Sequence, residues 1–277
     1  MIDLACSAAL VVVLLVAAAA YARRLAIVGP ARHARVAQAG SSLLLGRGVL
    51  EMGYWTMRPA ARACIALGIG PNAVSWASLG FAAGAAVALA DGAFGLGAAL
   101  SAVSAICDGL DGMIARETGT ASDSGEILDA TIDRYTELLF LGGIAINVRH
   151  SAPLLMLTLM ATAGAIMVSY ATAKGEAMGV TVPRGIMRRQ ERAVYLVLGV
   201  ALVPVTVALR RALPGLPAWT EQSSLIVALA LVGGLGNLSA VARLRAMVRA
   251  VARPAASRAR TNPRGDVHAA ARHAHVR

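Results

Sequence analysis

Four aspartates, Asp108, Asp111, Asp129 and Asp133, fall within 26 positions of a chain that is otherwise largely apolar. Carboxylates at the edge of a membrane span are costly, so they mark functional sites. At roughly 100° per helical residue, Asp108, Asp111, Gly112 and Ala115 share one helix face, with Arg116 beside them. Gly125, Asp129 and Asp133 share one face of the next helix. Residues 117–124 between them are polar and turn-forming, so two antiparallel helices can point four carboxylates at one another. Like charges gathered this closely need compensation. All-oxygen ligands select hard divalent ions, Mg2+ or Mn2+, over zinc. Two such ions, bridged by carboxylates, suit displacement at phosphorus. Gly112, Ala115 and Gly125 leave bare surface where a ligand can approach the backbone, and Arg116 can pair with a phosphate. A single aspartate at a helix end, or a pair on a solvated face, would be unremarkable. A calcium loop would need alternating ligands within one loop, which these helical spacings do not supply.

A second group of charges lies downstream. Lys174 falls at a helix end, and Arg189 and Arg192 open the next helix. A helix N-terminus carrying cations is an anion site. The plain alternative is that these cations only mark the side of the membrane on which they lie.

The elements that must position these residues follow from composition. Of 277 residues, 57% are hydrophobic and only 4% aromatic, with a mean hydropathy of +0.66. Apolar runs near twenty residues recur, which makes the chain an all-α polytopic membrane protein. The formal net charge of +11 is nearly all arginine. A nucleic-acid binder is the usual alternative for such a charge, but the arginines alternate with hydrophobic spans, so no nucleic-acid partner is expected. Cys6, Cys64 and Cys107 are too few and too scattered for a disulfide framework or a zinc site.

In chain order, residues 3–22 form a first apolar run that ends before Arg23 and Arg24. Ala20-Tyr21-Ala22 resembles a signal-peptide cleavage site, but the basic n-region is missing and Asp3 stands in its place, so a retained span over 1–24 is expected. Residues 25–48 read as a linker. Residues 49–70 read as an interfacial amphipathic helix, with Tyr54 and Trp55 at headgroup level, Arg58 and Arg62 on one face, and a break or bend at Pro59. A six-helix transmembrane bundle over 71–248 follows, with spans near 72–91, 95–116, 125–148, 152–178, 190–210 and 223–247. Residues 249–277 read as a disordered basic tail that can touch anionic lipid. Its His268, His273 and His275 could bind metal, although a solvated basic tail is the simpler reading. In this layout 22 of the 26 Lys and Arg fall on one side and three (Arg149, Arg210 and Arg211) on the other. The positive-inside rule then puts the aspartates and the C-terminus at the cytoplasmic face of a bacterial-type inner (plasma) membrane.

The motif Asp108-x2-Asp111-Gly112-x2-Ala115-Arg116-x8-Gly125-x3-Asp129-x3-Asp133 resembles, without a gap, the signature of the CDP-alcohol phosphotransferases. The wider resemblance covers about residues 50–247. It implies that a CDP-linked lipid, usually CDP-diacylglycerol, gives its phosphatidyl group to a soluble alcohol and releases CMP. It implies metal ligands at Asp108, Asp111, Asp129 and Asp133, with Asp133 also the general base, and two Mg2+ or Mn2+ ions. It implies a CDP pocket of Asn72, Asp111, Gly112, Ala115, Arg116 and Gly125, and a homodimer. The stretch 169–192 is similar to that of phosphatidylinositol-phosphate synthases, which implies Lys174, Arg189 and Arg192 as ligands of the phosphate of an inositol phosphate. Thr172 departs from that group, where another basic residue is common. Glycerol-3-phosphate would use the same cations, whereas an amino-alcohol acceptor would not need them. Two readings from other classes are an ion-coupled transporter using intramembrane carboxylates and a lipid-binding scaffold. Against the transporter, the carboxylates lie near the membrane edge rather than the midplane.

Overall fold

The computed structural model describes residues 2–31, 36, 46–180 and 185–252. It is built from helices α1 (Ile2–Ile27), α2 (Gly46–Ala66), α3 (Pro71–Ala90), α4 (Phe94–Glu117), α5 (Asp123–Asn147), α6 (Ala152–Ala177), α7 (Arg189–Ala201), α8 (Val203–Ala212) and α9 (Ser223–Ala252), with a short 3-10 turn at Ala218–Gln222. The chain is an all-α polytopic membrane protein. Most of the residues read as a linker, and the tail from 253 with its three histidines, lie outside the described residues.

Six helical stretches among the described residues are long and apolar enough to cross a membrane: α1, α3, α4, α6, the α7–α8 pair, and the 3-10 turn with α9. The helix carrying Asp129 and Asp133 is not among them, because its first half is too acidic. At 25 residues α5 is still about 37 Å long, and it packs along α3 and α6, so it runs with the spans. Large apolar side chains such as Val12, Leu15, Val87 and Met156 lie exposed on the outside, as expected where the solvent is lipid.

Local chemistry sets the helix ends. Pro71 starts α3 after Gly70 in extended conformation, where its missing N–H costs nothing. Ser122 caps α5, its Oγ accepting from the Gly125 N–H at 3.2 Å. The expected span 190–210 is instead two helices, α7 and α8, which meet at Leu202. Pro204 lacks the N–H that would continue the first ladder. By contrast, α2 runs through Pro59 unbroken, because Met57 and Ala61 pack against α4 on both sides of it.

Two clusters hold the bundle. The larger, including Leu89, Phe140, Leu141, Ile144, Leu196, Leu225 and Leu229, joins α3, α5, α7 and α9. The smaller, of Ala61, Val74, Leu110, Met113 and Ile114, joins α2, α3 and α4 on the back of the aspartate turn. Where α5 crosses α3, a Cβ on Gly143 would lie 2.5 Å from the Ala86 carbonyl oxygen. Only glycine permits that approach, the usual way membrane helices gain contact. Helix α1 is tied at both ends. Asp3 Oδ1 accepts from the Leu96 N–H at 3.0 Å, in the first turn of α4. The Tyr21 hydroxyl donates to Glu51 of α2 at 3.1 Å.

Candidate active site

A cleft of about 970 Å³ opens where α4 ends and α5 and α7 begin. The two aspartate helices touch each other little, and each packs instead along α3 or its neighbours. They form two walls of the cleft rather than one tight antiparallel pair. One carboxylate oxygen from each of Asp108, Asp129 and Asp133 lies within 4.8 Å of the others. Asp111 lines the same cleft but is turned to α3, accepting from Ser75 Oγ at 2.5 Å. The expected quartet is therefore a compact trio with a fourth carboxylate held beside it, and within the trio Asp108 lines not the cleft but a small adjoining pocket with Glu137 and Arg189. Ser75 was not among the residues expected from sequence. Its position one turn after Asn72, on the cleft side of α3, is the signal that could have found it.

The cations are distributed differently from the expectation. Arg189 reaches the carboxylates: Nη1 donates to Asp108 Oδ2 at 2.9 Å and Nη2 to Asp108 Oδ1 at 3.1 Å. Nη2 also lies 2.6 Å from Asp133 Oδ1. Arg192 is fully buried and gives a bidentate pair to Glu137 of α5, at 2.7 and 3.0 Å. Arg192 lines the cleft, and its buried Nη1 has no hydrogen-bond partner among the described residues. Arg243 of α9 donates through Nη1 to Thr172 Oγ1 at 2.5 Å, and its Nε has no hydrogen-bond partner among the described residues. Arg188 completes this wall of the cleft. Lys174 is exposed and does not line it. Ser169, Thr172 and Glu176 line the cleft at helical spacing, and Lys174, two residues from Thr172, is turned about 200° away. Thr172, where a cation was missing from the sequence pattern, orients the arginine of another helix. The expected nucleotide residues Asn72, Gly112, Ala115, Arg116 and Gly125 all line the cleft.

The carboxylates fit a divalent metal ion. The donors are all oxygen and close together. Asp133 Oδ1 is buried and accepts no aligned hydrogen bond from the described residues, although the Arg189 guanidinium is beside it. Arg189 contacts Asp108 and Asp133, the two carboxylates that such an ion would have to take from it.

Residues 68–235 match the family model for CDP-alcohol phosphatidyltransferase. The chain belongs to this family. As a CDP-alcohol phosphatidyltransferase it is similar to the phosphatidylinositol phosphate synthase of Corynebacterium glutamicum, at 32% identity over 53% of this chain and 69% of that one. It is also 35% identical to the archaetidylinositol phosphate synthase of Aeropyrum pernix, over 40% of this chain and 56% of that one. Among solved structures, the phosphatidylinositol phosphate synthase of Mycobacterium tuberculosis superposes at 25% identity. The form in complex with manganese and citrate gives a TM-score of 0.59, covering 69% of this chain and 88% of that one. The form with CDP-DAG bound gives 0.58, covering 69% and 92%.

Proposed function

We propose that this CDP-alcohol phosphatidyltransferase moves the phosphatidyl group of CDP-diacylglycerol to a hydroxyl of a phosphorylated polyol, of the inositol phosphate type, and releases CMP at the cytoplasmic face of a bacterial inner membrane. The observation that carries this reading is one cleft with two chemistries. Asp111, Asp129 and Asp133 line one side, with Asp108 behind them within reach of Asp129 and Asp133, and Arg188, Arg192 and Arg243 stand on the other. A donor pyrophosphate and an acceptor phosphate each need one of them. The names of the relatives support the same pairing of substrates.

The residues divide the work as follows. Asn72, Gly112, Ala115, Arg116 and Gly125 line the part of the cleft offered to the cytidine nucleotide. The small residues there admit the ligand to the backbone, and Arg116 meets phosphate. Asp108, Asp111, Asp129 and Asp133 would hold divalent metal, Mg2+ or Mn2+ and up to two ions, which would neutralise pyrophosphate charge and polarise the bond that breaks. The arginine wall holds the acceptor by its phosphate and so fixes where its hydroxyl lies. The Asp133 carboxylate takes the hydroxyl proton. The acceptor oxygen bonds to the lipid-side phosphorus, the bridging P–O bond breaks, and its electrons leave with CMP. The proton on Asp133 then passes to water.

CMP release from CDP-diacylglycerol by the purified chain with Mg2+ and a panel of acceptors tests this. The expected result is CMP formed with inositol phosphate and at least hundredfold slower turnover in Asp133→Asn, in the range seen when a general base is removed. Faster CMP release with glycerol-3-phosphate or an amino alcohol would reassign the acceptor. Full activity in Asp133→Asn would remove the mechanism.

A further inference from the structure

We propose that Arg189 couples the two halves of the cleft. Its guanidinium holds Asp108 and Asp133 until a divalent cation takes those carboxylates, and it then turns to the arginine wall and the anion bound there. The inference deepens the transferase reading and rests on it.

Position makes the case first. Arg189 contacts two of the three residues of the compact carboxylate cluster. A cation that needs the same oxygens must compete with it. Of the wall arginines, Arg192 cannot take this part, because it is fully buried and tied through Nε and Nη2 to Glu137. The Arg189 side chain remains 35% exposed, on the cleft. It lies one turn from Arg192 and next to Arg188 on α7, so its alternative partners are already close.

Chemistry allows both sites. A planar guanidinium gives the same two-pronged contact to a carboxylate and to a phosphate. Arg189 is the first residue of α7, where the helix dipole is positive and disfavours a cation unless an anion faces it. It therefore goes wherever the anion is. By linkage, if a cation at the carboxylates frees Arg189 for an anion, the anion must strengthen cation binding by the same factor. Metal loading and acceptor binding would then be cooperative, and an enzyme without acceptor would hold its metal weakly. A static counter-ion predicts no such coupling.

The test measures Mn2+ binding to the purified full chain by the resonance of free Mn2+, with no lipid or acceptor present. Sulfate serves as a phosphate mimic that chelates Mn2+ weakly, with ionic strength balanced by chloride. In the native chain, sulfate should tighten Mn2+ about fivefold or more, the lower end of usual coupling. In Arg189→Gln, Mn2+ should bind at least as tightly without sulfate as the native chain does with it, and sulfate should add nothing. Arg189→Lys keeps the charge but loses the two-pronged contact, so its coupling should fall between the two. This variant decides the matter if the glutamine variant does not fold. Weaker or unchanged Mn2+ affinity in Arg189→Gln, or the native sulfate effect retained in it, would overturn the proposal. Because these measurements involve no turnover, an absence of CMP release would count against the transferase reading alone.

Discussion

At the scale of single residues, the convergence of the aspartates was readable in advance and the placement of the cations was not. The four aspartates sit at helical spacings on two short stretches, so their convergence follows from periodicity alone. The placement of the cations depends on which face of a helix looks inward. Lys174 lies close in sequence to Thr172 but on the far side of α6. Arg243 sits among apolar residues of α9 and looks like one more cytoplasmic-side charge until Thr172 and the cleft are seen beside it. This gives a clean test. Among the described residues Arg243 has no carboxylate partner, so its loss leaves no buried acid unpaired there, unlike the loss of Arg192 beside Glu137. Arg243→Gln should raise the KM for the phosphorylated acceptor about tenfold or more, the worth of a charged hydrogen bond, and leave the KM for CDP-diacylglycerol unchanged. Lys174→Gln should change neither. Steady-state kinetics with each substrate varied in turn checks both, and an equal effect of Lys174→Gln and Arg243→Gln on the acceptor would remove the arginine wall.

At the scale of elements, hydropathy located the helices well but not how they meet. A turn-forming loop between two aspartate helices implied that the pair would pack face to face. The structure instead puts α3 against both and leaves the cleft between them. The deciding contacts are backbone to backbone and leave little trace in composition. Gly143 is one, with no room for a side chain against Ala86. Gly143→Val should push α5 off α3, displacing Asp129 and Asp133 from Asp108 and Asp111. Overpacking of this kind costs roughly 1–3 kcal/mol. The expected outcome is a lower thermal unfolding midpoint in detergent together with weakened Mn2+ binding. Gly142→Val, one position along at a site open to 4 Å, should have little effect on either. Proline marked the other surprises. Pro204 splits a span that hydropathy reads as continuous, whereas Pro59 leaves α2 whole because its neighbours hold it in place.

At the scale of the whole molecule, the alternation of helices carries every catalytic candidate to one end. Helices α4 and α6 finish there, and α3, α5 and α7 begin there. The same end collects the positive charge in sequence, while Arg149, Arg210 and Arg211 fall at the other, where Arg210 pairs with Glu221. The positive-inside rule applied to this charge distribution gives the proposed cytoplasmic sidedness. The proposed CDP-lipid donor and soluble acceptor would both need that side. Single cysteines in a chain freed of Cys6, Cys64 and Cys107 can measure it. Ala121 and His150 are both exposed and lie at opposite ends of α5. In spheroplasts, His150→Cys should react with a membrane-impermeant maleimide and Ala121→Cys should not. In inside-out vesicles the reactivity should reverse. The opposite pattern would place the carboxylates and arginines outside, away from the nucleotide pool, and would break the proposed reaction at its supply of substrate rather than at its chemistry.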